Sequence, residues 1–538
     1  MMLEINGKHT EAEVGQTLFE CAEAIDVRVP TSCFKNGKCR ECLVEVVEGA
    51  EFLTPKTEEE EHLREGFRLS CRAKLTDGDA HVRCHTLRRG AMRIERSSQG
   101  LSDIPGPTSF DPAVTCDAEQ VYLDGQPIAE SGGPIFGLAI DVGTTTVVMR
   151  LVDLQNGEIR EVQSFENPQR FAGSDIMARI QYDTEQKGRL LQRTLLAYLG
   201  HAIDSLAVDG QSIYEIVIAG NSTMRDLMFG LDVHSIGQRP YRSITEHELA
   251  AGTRDTTAVV STAKKMRLPI HPAARIYGLP VISGHVGADA AACAIAVGLA
   301  HEERLVGLMD IGTNTELLVG NRHKLLAASC PAGPAFEGGK IRCGMPGLEG
   351  AIEAVRLTDA GAVEFDLIGT DAPQGICGSG LIDVLSELRR TDRLNELGRF
   401  EDESDRLLID APSEIAVYES DISELAQAKG ANVAGLDIVL KRYGIGFHDL
   451  DRFYLAGGFA RHLNLDAARR IGLVPDLPDD KLIQVGNAAI EGATRALCSV
   501  TARDELERLV RSIEHVELET DPEFFDHFVE GCQFKRFP

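Results

Sequence analysis

Positive charge is scarce in this sequence. The chain carries 55 lysine and arginine residues against 83 aspartate and glutamate residues, and its formal net charge is -28. Nucleic-acid binding needs a basic face that neutralises phosphates, so this balance argues against nucleic acid as the main ligand. Acidity of this size is common as solubilising charge in cytoplasmic enzymes.

Long apolar runs are absent as well. Residues 1–8 contain no apolar signal segment. The longest apolar run, residues 290–300, is too short to span a bilayer and is predicted to be a buried helix. We therefore expect a cytoplasmic protein that does not bind a membrane.

Cysteine occurs thirteen times, an odd number, without a signal for export. This combination is typical of a reducing compartment, in which thiolates bind metals and disulfides are rare. Four cysteines form a group: Cys33, Cys39 and Cys42 have the spacing C-x5-C-x2-C, and Cys71 follows in the string RLSCR. The other nine are interpreted as buried structural thiols.

The four-cysteine group has the spacing of a [2Fe-2S] ferredoxin. The irons of such a cluster take four thiolates, three from a tight loop and one from a distant strand. Cys33, Cys39, Cys42 and Cys71 meet this need. Gly37 can supply the left-handed backbone that curls the loop around the sulfides.

Two alternatives to this assignment remain. Zinc is the main one, although a single CxxC with two separate cysteines fits paired zinc knuckles poorly. Within the cluster assignment, Cys84 is the one residue that competes with Cys71 as the fourth ligand.

Residues 1–87 are predicted to form a domain with the ferredoxin-like, ubiquitin-type roll. A hairpin turns at Asn6-Gly7, and Thr17 can cap a helix over residues 18–24. A strand follows the cysteine loop.

Residues 88–134 are interpreted as a linker with one small strand around residues 121–125. The arginine- and proline-rich part, residues 88–112, is expected to be a tether that lets the first domain swing between partners.

A strand-turn-strand pattern occurs twice in the remaining chain. The string DVGTTT at residues 141–146 and the string DIGTNTE at residues 310–316 each lie between two apolar strands. We interpret them as a duplicated α/β fold with one hairpin per half, residues 135–300 and residues 301–538. A glycine pair follows in the string LAGGF at residues 455–459.

These three strings are the phosphate-1, phosphate-2 and adenosine signatures of an actin-like ATPase. Glycine at the turn lets backbone N-H groups approach phosphate, and neighbouring threonines add hydroxyl donors. Asp141 and Asp310 lie where carboxylates can hold hydrated Mg²⁺. They are the predicted catalytic residues, and Asp310 is expected to orient the water that attacks the γ-phosphate. The predicted nucleotide-binding residues are Gly143, Thr144, Thr145, Gly312, Thr313, Thr315, Gly457 and Gly458.

The alternative is that the two Asp-x-Gly-Thr strings form ordinary β-hairpins without a nucleotide. The sequence contains no Walker lysine motif and no GxGxxG loop that would place a nucleotide elsewhere. The expected fold class is α/β plus α+β. It comprises an N-terminal [2Fe-2S] ferredoxin-like roll, a linker, and a C-terminal duplicated actin-like ATPase fold.

With these motifs the chain resembles the reductive activators of corrinoid-dependent methyl-transfer proteins, in which a ferredoxin is fused to an acetate-and-sugar-kinase/chaperone/actin type ATPase. The resemblance covers almost the whole chain. It extends to the strings AGNSTM at 219–224, GPAFEGGKI at 333–341, GICGSGLID at 375–383 and PEFFDHFV at 522–529. About 45 residues separate the two modules, so the small domain that family members can carry there is absent or reduced.

The resemblance implies ATP-dependent, one-electron reduction of a corrinoid protein from inactive Co(II) to Co(I) through the cluster. The implied cofactors are a [2Fe-2S] cluster, ATP and Mg²⁺. The implied partners are a corrinoid methyl-carrier protein of a methyltransferase system and a cellular electron donor, with a homodimer left open. Two other classes of function remain: a regulatory or assembly ATPase whose cluster only senses redox state, and a small-molecule kinase with an accessory ferredoxin.

Overall fold

The structure is a computed structural model of the whole chain. It describes residues 2–27, 29–31, 33, 35–77, 81–87, 109–130, 133–358, 361–369, 372–402, 404–458 and 460–537.

The N-terminal domain is a five-stranded mixed sheet with one helix, as the sequence predicts. Its elements are β1 (Met2–Ile5), β2 (Lys8–Glu11), α1 (Leu18–Ala24), β3 (Leu43–Glu48), β4 (Phe67–Leu69) and β5 (His81–Thr86). The strand order is β2-β1-β5-β3-β4, with β1 parallel to β5. The first hairpin turns through Asn6 (φ 54°) and Gly7 (φ 77°), both left-handed. Thr17 and Glu20 form a reciprocal capping box on α1, which confirms the predicted helix start.

The region between the two modules contains more structure than predicted. Three antiparallel strands form a small sheet: β6 (Val114–Asp117), β7 (Gln120–Leu123) and β8 (Gln126–Glu130). The sequence predicted one strand here, because the alternation is short and the turns are tight. Val114 and Val121 pack into the same core as Leu497, and the Asp111 N-H donates to the Cys498 carbonyl at 3.0 Å. Residues 88–108 of the predicted tether lie outside the described residues.

The first half of the ATPase-like region has a six-stranded sheet in the order β11-β10-β9-β12-β14-β13. Its strands are β9 (Phe136–Val142), β10 (Thr146–Asp153), β11 (Ile159–Glu166), β12 (Ile213–Ala219), β13 (Val259–Thr262) and β14 (Arg275–Gly278). Its helices are α2 (Ile176–Glu185), α3 (Leu190–Asp204), α4 (Ser222–Phe229), α5 (Ile244–Ala250), α6 (Ala263–Met266) and α7 (Ala288–Ala296). The last of these is the buried helix predicted from the apolar run, and it ends earlier than the run does.

The strands of the second half are β15 (Val306–Ile311), β16 (Thr315–Asn321), β17 (Lys324–Cys330), β18 (Ala351–Leu357), β19 (Val363–Leu367), β20 (Gly375–Ile376), β21 (Arg406–Asp410), β22 (Ile415–Tyr418), β23 (Arg452–Ala456), β24 (Leu482–Gly486) and β25 (Glu514–His515). Six of them repeat the plan of the first half in a sheet with the order β24-β23-β15-β16-β17-β25. The others form two small sheets, β19-β18-β20 and β21-β22. Its helices are α8 (Gly378–Arg390), α9 (Glu419–Tyr443), α10 (Leu465–Arg470), α11 (Ala488–Cys498), α12 (Val500–Ser512) and α13 (Phe524–Gly531). The two hairpins β9–β10 and β15–β16 occupy matching places, which confirms the duplicated fold.

The halves are also interlocked. Helix α11 follows the last long strand of the second half, yet Ile490, Ala493 and Leu497 share a core with Ala139 of β9 and Val217 of β12. The predicted division at residue 300 therefore describes the chain order but not the packing. This return of α11 places its N-terminus beside the first hairpin.

Candidate functional site

A cavity of about 230 Å³ lies between the two hairpins. Both turns line it, together with α7, the glycine pair after β23 and the start of α11. Every predicted catalytic or nucleotide-binding residue except Thr315 lines this cavity: Asp141, Gly143, Thr144, Thr145, Asp310, Gly312, Thr313, Gly457 and Gly458.

Thr315 differs from the prediction. It is the first residue of β16, is paired with Ile311, and is fully buried. Its hydroxyl has no hydrogen-bond partner among the described residues. The tight second turn brings Thr315 into the strand ladder, so the structure does not place it at the cavity.

The two predicted catalytic carboxylates line the cavity, Asp141 buried and Asp310 half-buried, and each accepts a hydrogen bond from a described side chain. The amide of Asn487, at the start of α11, donates to Asp141 Oδ2 at 2.9 Å. The thiol of Cys293, on α7, donates to Asp310 Oδ2 at 3.3 Å. Burial raises the pKa of each carboxyl to about 7, and the charge of Asp141 adds to the effect on Asp310.

Further carboxylates surround this pair. Asp289, one turn before Cys293 on α7, lines the cavity, and burial with the charge of Asp310 raises its pKa to about 7. Glu316 faces Asp310 across the β15–β16 ladder, and burial holds its pKa well above the usual range. So much buried negative charge is costly unless a cation neutralises it.

Glu337 joins the two turns. Its carboxylate accepts hydrogen bonds from the hydroxyls of Thr145, at 2.8 Å, and Thr313. These two hydroxyls are themselves 3.3 Å apart. The phosphate-1 and phosphate-2 strings, far apart in the sequence, therefore meet at one point.

The donor set fits a hydrated magnesium ion. Mg²⁺ prefers oxygen ligands, keeps several waters, and is usually held by one or two carboxylates together with phosphate oxygens. Asp141, Asp289 and Asp310 offer only oxygen, and a cation would relieve their mutual repulsion. In the described part of the chain, no group of three or more His, Cys, Asp or Glu side chains converges on one ion position. A metal with mostly water and phosphate ligands needs no such group.

Two glycines at the cavity are required by close backbone approach. A Cβ on Gly143 would lie 2.6 Å from the Thr146 carbonyl oxygen. A Cβ on Gly457, whose φ is 118°, would lie 2.3 Å from the Ile311 carbonyl oxygen. Backbone N-H groups in such side-chain-free turns can form an anion-binding concavity.

The four cysteines predicted as cluster ligands meet at one edge of the N-terminal domain. The sulfur atoms of Cys42 and Cys71 lie 3.2 Å apart, and Cys33 and Cys39 interact electrostatically with Cys71. Burial raises the pKa of Cys33, but its hydrogen bonds with Cys39, Asn36 and Gly37 outweigh burial and hold that pKa at about 7. Such N-H donors stabilise thiolate sulfur, and they fit a site that binds iron through thiolates.

Loop geometry agrees with this group. Gly37 has a φ of 79°, and a Cβ there would lie 2.7 Å from the Arg72 Nε atom. A [2Fe-2S] cluster takes two thiolates per iron, so four cysteines serve two metal ions and three need not converge on one. The competing ligand Cys84 lies apart in the central strand β5, in a core with Cys21.

Several residues at the nucleotide cavity were missed by reasoning from sequence. Asn221 donates to the Thr144 hydroxyl at 3.0 Å, and Asn487 and Cys293 hold the two aspartates. Asn221 and Asn487 each cap a helix that follows a strand, a pattern that a search for caps could have found. Asp289 and Cys293 are four residues apart on α7, so both can point into one site.

Protein-family models match both the ferredoxin module and the ATPase-like region of the chain. A 2Fe-2S iron-sulfur cluster binding domain matches residues 3–76. The RACo middle region matches residues 136–302, and the C-terminal domain of RACo, the ASKHA domain, matches residues 304–537. Fold and domains together define a ferredoxin joined to an actin-like ATPase. The chain belongs to the RACo family of such fusions.

Individual relatives cover most of the chain. The corrinoid activation enzyme RamQ of Eubacterium limosum is 27% identical to this chain, in an alignment that covers 93% of this chain and 93% of that enzyme. The [Co(II) methylated amine-specific corrinoid protein] reductase of Methanosarcina barkeri is 23% identical over 73% of this chain and 76% of its own. The solved reductive activator for corrinoid,iron-sulfur protein has a TM-score of 0.72 at 26% identity, covering 100% of this chain and 98% of that one.

Among the described residues, no helix is both long and apolar enough to cross a membrane.

Proposed function

We propose that this protein activates a corrinoid protein by ATP-dependent, one-electron reduction of Co(II) to Co(I). The observation that carries the proposal is the presence of two sites in one chain. Four thiols converge in a ferredoxin domain, and a carboxylate-lined cavity lies between two phosphate-type hairpins. Relatives that align over most of the chain are named for corrinoid activation and corrinoid-protein reduction.

At the nucleotide site, the backbone N-H groups of the glycine turns at Gly143 and Gly312 would hold phosphate oxygens. Asp141, fixed by the Asn487 amide, would anchor the hydrated Mg²⁺ ion. Asp310, which accepts from the weakly donating thiol of Cys293, would keep lone pairs free to orient the attacking water. Gly457 and Gly458 would leave room for the adenosine.

At the other site, Cys33, Cys39, Cys42 and Cys71 would hold the [2Fe-2S] cluster, which when bound carries one electron at a time. Cys39, Cys42 and Cys71 are buried, whereas Cys33 is partly exposed. The edge of the loop at Cys33 is therefore the side on which a cellular electron donor and the corrinoid protein would approach.

ATP would supply the driving force that an ordinary electron donor lacks. Converting a 1:99 equilibrium to 99:1 needs a factor of about 10⁴, or about 5.5 kcal/mol. For one electron this corresponds to about 240 mV, at 59 mV for each tenfold change. The nucleotide can contribute only through different affinities for two conformations of the complex.

The test is an anaerobic optical assay with the cluster-loaded protein, a chemical reductant and a Co(II) corrinoid protein. We expect the Co(I) absorption band to form with ATP and Mg²⁺, and to stay near background without either. ATP hydrolysis that responds to the redox state of the cluster, without any Co(I), would contradict this proposal and favour the redox-sensing ATPase.

A pair of cysteine variants controls for the cluster. Cys42→Ala should abolish the visible absorption of the cluster and the formation of Co(I), whereas Cys84→Ala should retain both. Loss of the cluster in Cys84→Ala together with its survival in Cys71→Ala would show that the ligand set is wrong.

A further inference from the structure

A short segment connects the first phosphate turn to the ferredoxin domain. Residues 167–179, here called the bridging segment, run from the end of β11 into α2. They contain the short 3-10 helix Pro168–Ala172. One side of the segment contacts the phosphate turn and the other contacts the N-terminal domain.

On the nucleotide side, the bridging segment donates to three successive carbonyl groups of the turn. The Asn167 N-H donates to the Thr145 carbonyl at 2.7 Å, and its side-chain amide donates to the Gly143 carbonyl at 2.8 Å. The Arg179 guanidinium donates to the Thr144 carbonyl at 2.6 Å. Each of these carbonyl groups shares a peptide unit with the N-H group of the next residue, Thr144, Thr145 or Thr146, and all three residues line the cavity.

Arg179 is the unusual member of this contact. Its side chain is fully buried, and it has no carboxylate within ion-pair distance among the described residues. The same guanidinium donates through Nε to the Gly173 carbonyl at 3.0 Å, so it ties the phosphate turn to the middle of the bridging segment. A buried cation bonded mainly to carbonyl groups responds to changes in the position of those groups.

On the other side, the bridging segment packs against the ferredoxin domain. The Phe171 ring meets the His62 ring edge to face, with centroids 6.2 Å apart and planes at 85°. Arg170 pairs with Glu45 of β3 at 3.6 Å. Apolar residues of both modules form one continuous core here, among them Phe19, Leu43, Phe67, Leu69, Phe171 and Ala172.

The contact reaches the cysteine group. Cys42 and Cys71 belong to that same continuous core. His62 lies in the turn that starts near Glu60, whose carboxylate accepts from the Leu69 N-H at 2.9 Å, two residues before Cys71. The two modules therefore share a core at this contact, and the cysteine group of the ferredoxin domain packs directly on the ATPase region.

We propose that Arg179 is a positioning residue that couples nucleotide binding to the docking of the ferredoxin domain. Phosphate bound to the N-H side of the first turn polarises its peptide units, and their carbonyl groups become better acceptors. The hydrogen bonds from Asn167 and Arg179 to these carbonyl groups then strengthen, and the bridging segment becomes more rigid. Because Phe171 of this segment contacts the ferredoxin domain, that domain docks more tightly. This inference rests on the proposed nucleotide site but not on electron transfer to cobalt.

Thermodynamic linkage makes the proposal measurable from both ends. If nucleotide tightens docking by some factor, then loosened docking must weaken nucleotide binding by the same factor. The experiment measures the affinity of a non-hydrolysable ATP analogue with Mg²⁺, and amide hydrogen exchange over residues 60–71, in the cluster-loaded full-length protein.

The first comparison uses two matched substitutions in the ferredoxin domain. His62→Glu places a charge in the docking contact, whereas His81→Glu places the same charge at the exposed first residue of β5, away from that contact. We expect His62→Glu to weaken binding of the analogue about 5-fold, within the usual range of coupling between sites, and His81→Glu to leave it unchanged. Equal affinities in both variants and the unchanged protein would overturn the proposal.

The second comparison tests Arg179 itself. In the unchanged protein, the analogue should slow exchange over residues 60–71 by about the same 5-fold factor. Arg179→Lys retains a cation but replaces the rigid fork of two donating nitrogens with a single nitrogen on a flexible stem, so the analogue should bind without slowing that exchange. A normal slowing in Arg179→Lys would show that this side chain does not couple the sites. Were that variant not to fold, the His62 comparison would decide alone.

Neither comparison needs a corrinoid protein. Coupling without Co(I) formation would contradict only the proposed activation, and Co(I) formation without coupling would contradict only the role of Arg179. Failure of the analogue to bind at all would overturn both the nucleotide site and this inference.

Discussion

The two phosphate hairpins resemble each other in sequence but differ in what faces each aspartate. In the first hairpin, Asp141 is paired across the ladder with Val148, and four residues form the turn between Val142 and Val147. In the second, Asp310 is paired with Glu316. Directly paired residues of antiparallel strands lie with their Cβ atoms about 4.5–5.5 Å apart, so the second hairpin places two carboxylates side by side.

The two aspartates also differ in the side chains that donate hydrogen bonds to them. Asp141 accepts from an amide, a good donor, and Asp310 accepts from a thiol, a weak one. We infer that the first aspartate is built to be held still and the second to remain available. A duplicated fold can thus assign binding to one copy of a motif and reaction to the other.

The largest expected effect is on ATP turnover, when each of the two aspartates is replaced separately by alanine. Asp310→Ala should lower ATP turnover by at least ~10²-fold while the nucleotide still binds, because water positioning acts mainly in the transition state. Asp141→Ala should weaken binding of Mg-nucleotide as well. Steady-state hydrolysis measures ATP turnover, and equilibrium titration measures nucleotide affinity. If both variants lost turnover and affinity to the same extent, the proposal that Asp141 serves binding and Asp310 serves reaction would be wrong.

A smaller effect is expected from the carboxylate that only the second hairpin has. Glu316→Gln preserves shape and the contact with Ser329 but removes a carboxyl group that can gain or lose a proton beside Asp310. Turnover should fall about 10-fold with little change in nucleotide affinity, the range expected for a group that assists proton transfer or metal positioning. Val148→Thr, at the matching place in the first hairpin, is the control. A loss as large as that of Asp310→Ala would make Glu316 the catalytic residue instead.

The smallest expected effect on turnover comes from changing the side chain that donates a hydrogen bond to Asp310. Cys293→Ser replaces a weak donor to Asp310 with a hydroxyl, which makes the second aspartate more like the first. We expect turnover to fall about 5-fold at unchanged nucleotide affinity, because a stronger hydrogen bond that holds Asp310 by about 1 kcal/mol more raises the barrier by about that factor. Cys330→Ser, on the buried strand β17, controls for a hydroxyl placed elsewhere in the core. Faster turnover in Cys293→Ser would contradict the view that Asp310 must remain lightly held.

The sequence predicts correctly those turns, helix caps and hairpins that depend only on residues close together in the chain. The Asn6-Gly7 turn, the Thr17 cap and both Asp-x-Gly-Thr hairpins follow from short-range preferences of backbone and side chain. The RACo family match accords with the resemblance read from the motifs.

Long-range packing was not predictable in this way. Asn487 reaches Asp141 only because α11 returns to the first half, and Phe171 meets His62 only because two modules dock. Neither contact leaves a periodic signal in the sequence. Thr315 is predicted as a hydroxyl donor to the nucleotide because it lies in the second phosphate string, but the second turn is one residue shorter than the first and places Thr315 in the strand ladder. The domain limits 1–87, 88–134, 135–300 and 301–538, the cytoplasmic location and a homodimer stay predictions.

The central claim is that electron delivery and ATP turnover act together in one chain. The most direct measurement is the rate of Co(I) formation, in single turnover, by the pre-reduced protein with ATP, Mg²⁺ and a Co(II) corrinoid protein. The unchanged protein should form Co(I), Cys42→Ala should form none because it lacks the cluster, and Asp310→Ala should remain at least ~10²-fold slower although its cluster is intact and reduced. Co(I) formation at the unchanged rate in either variant would contradict the account.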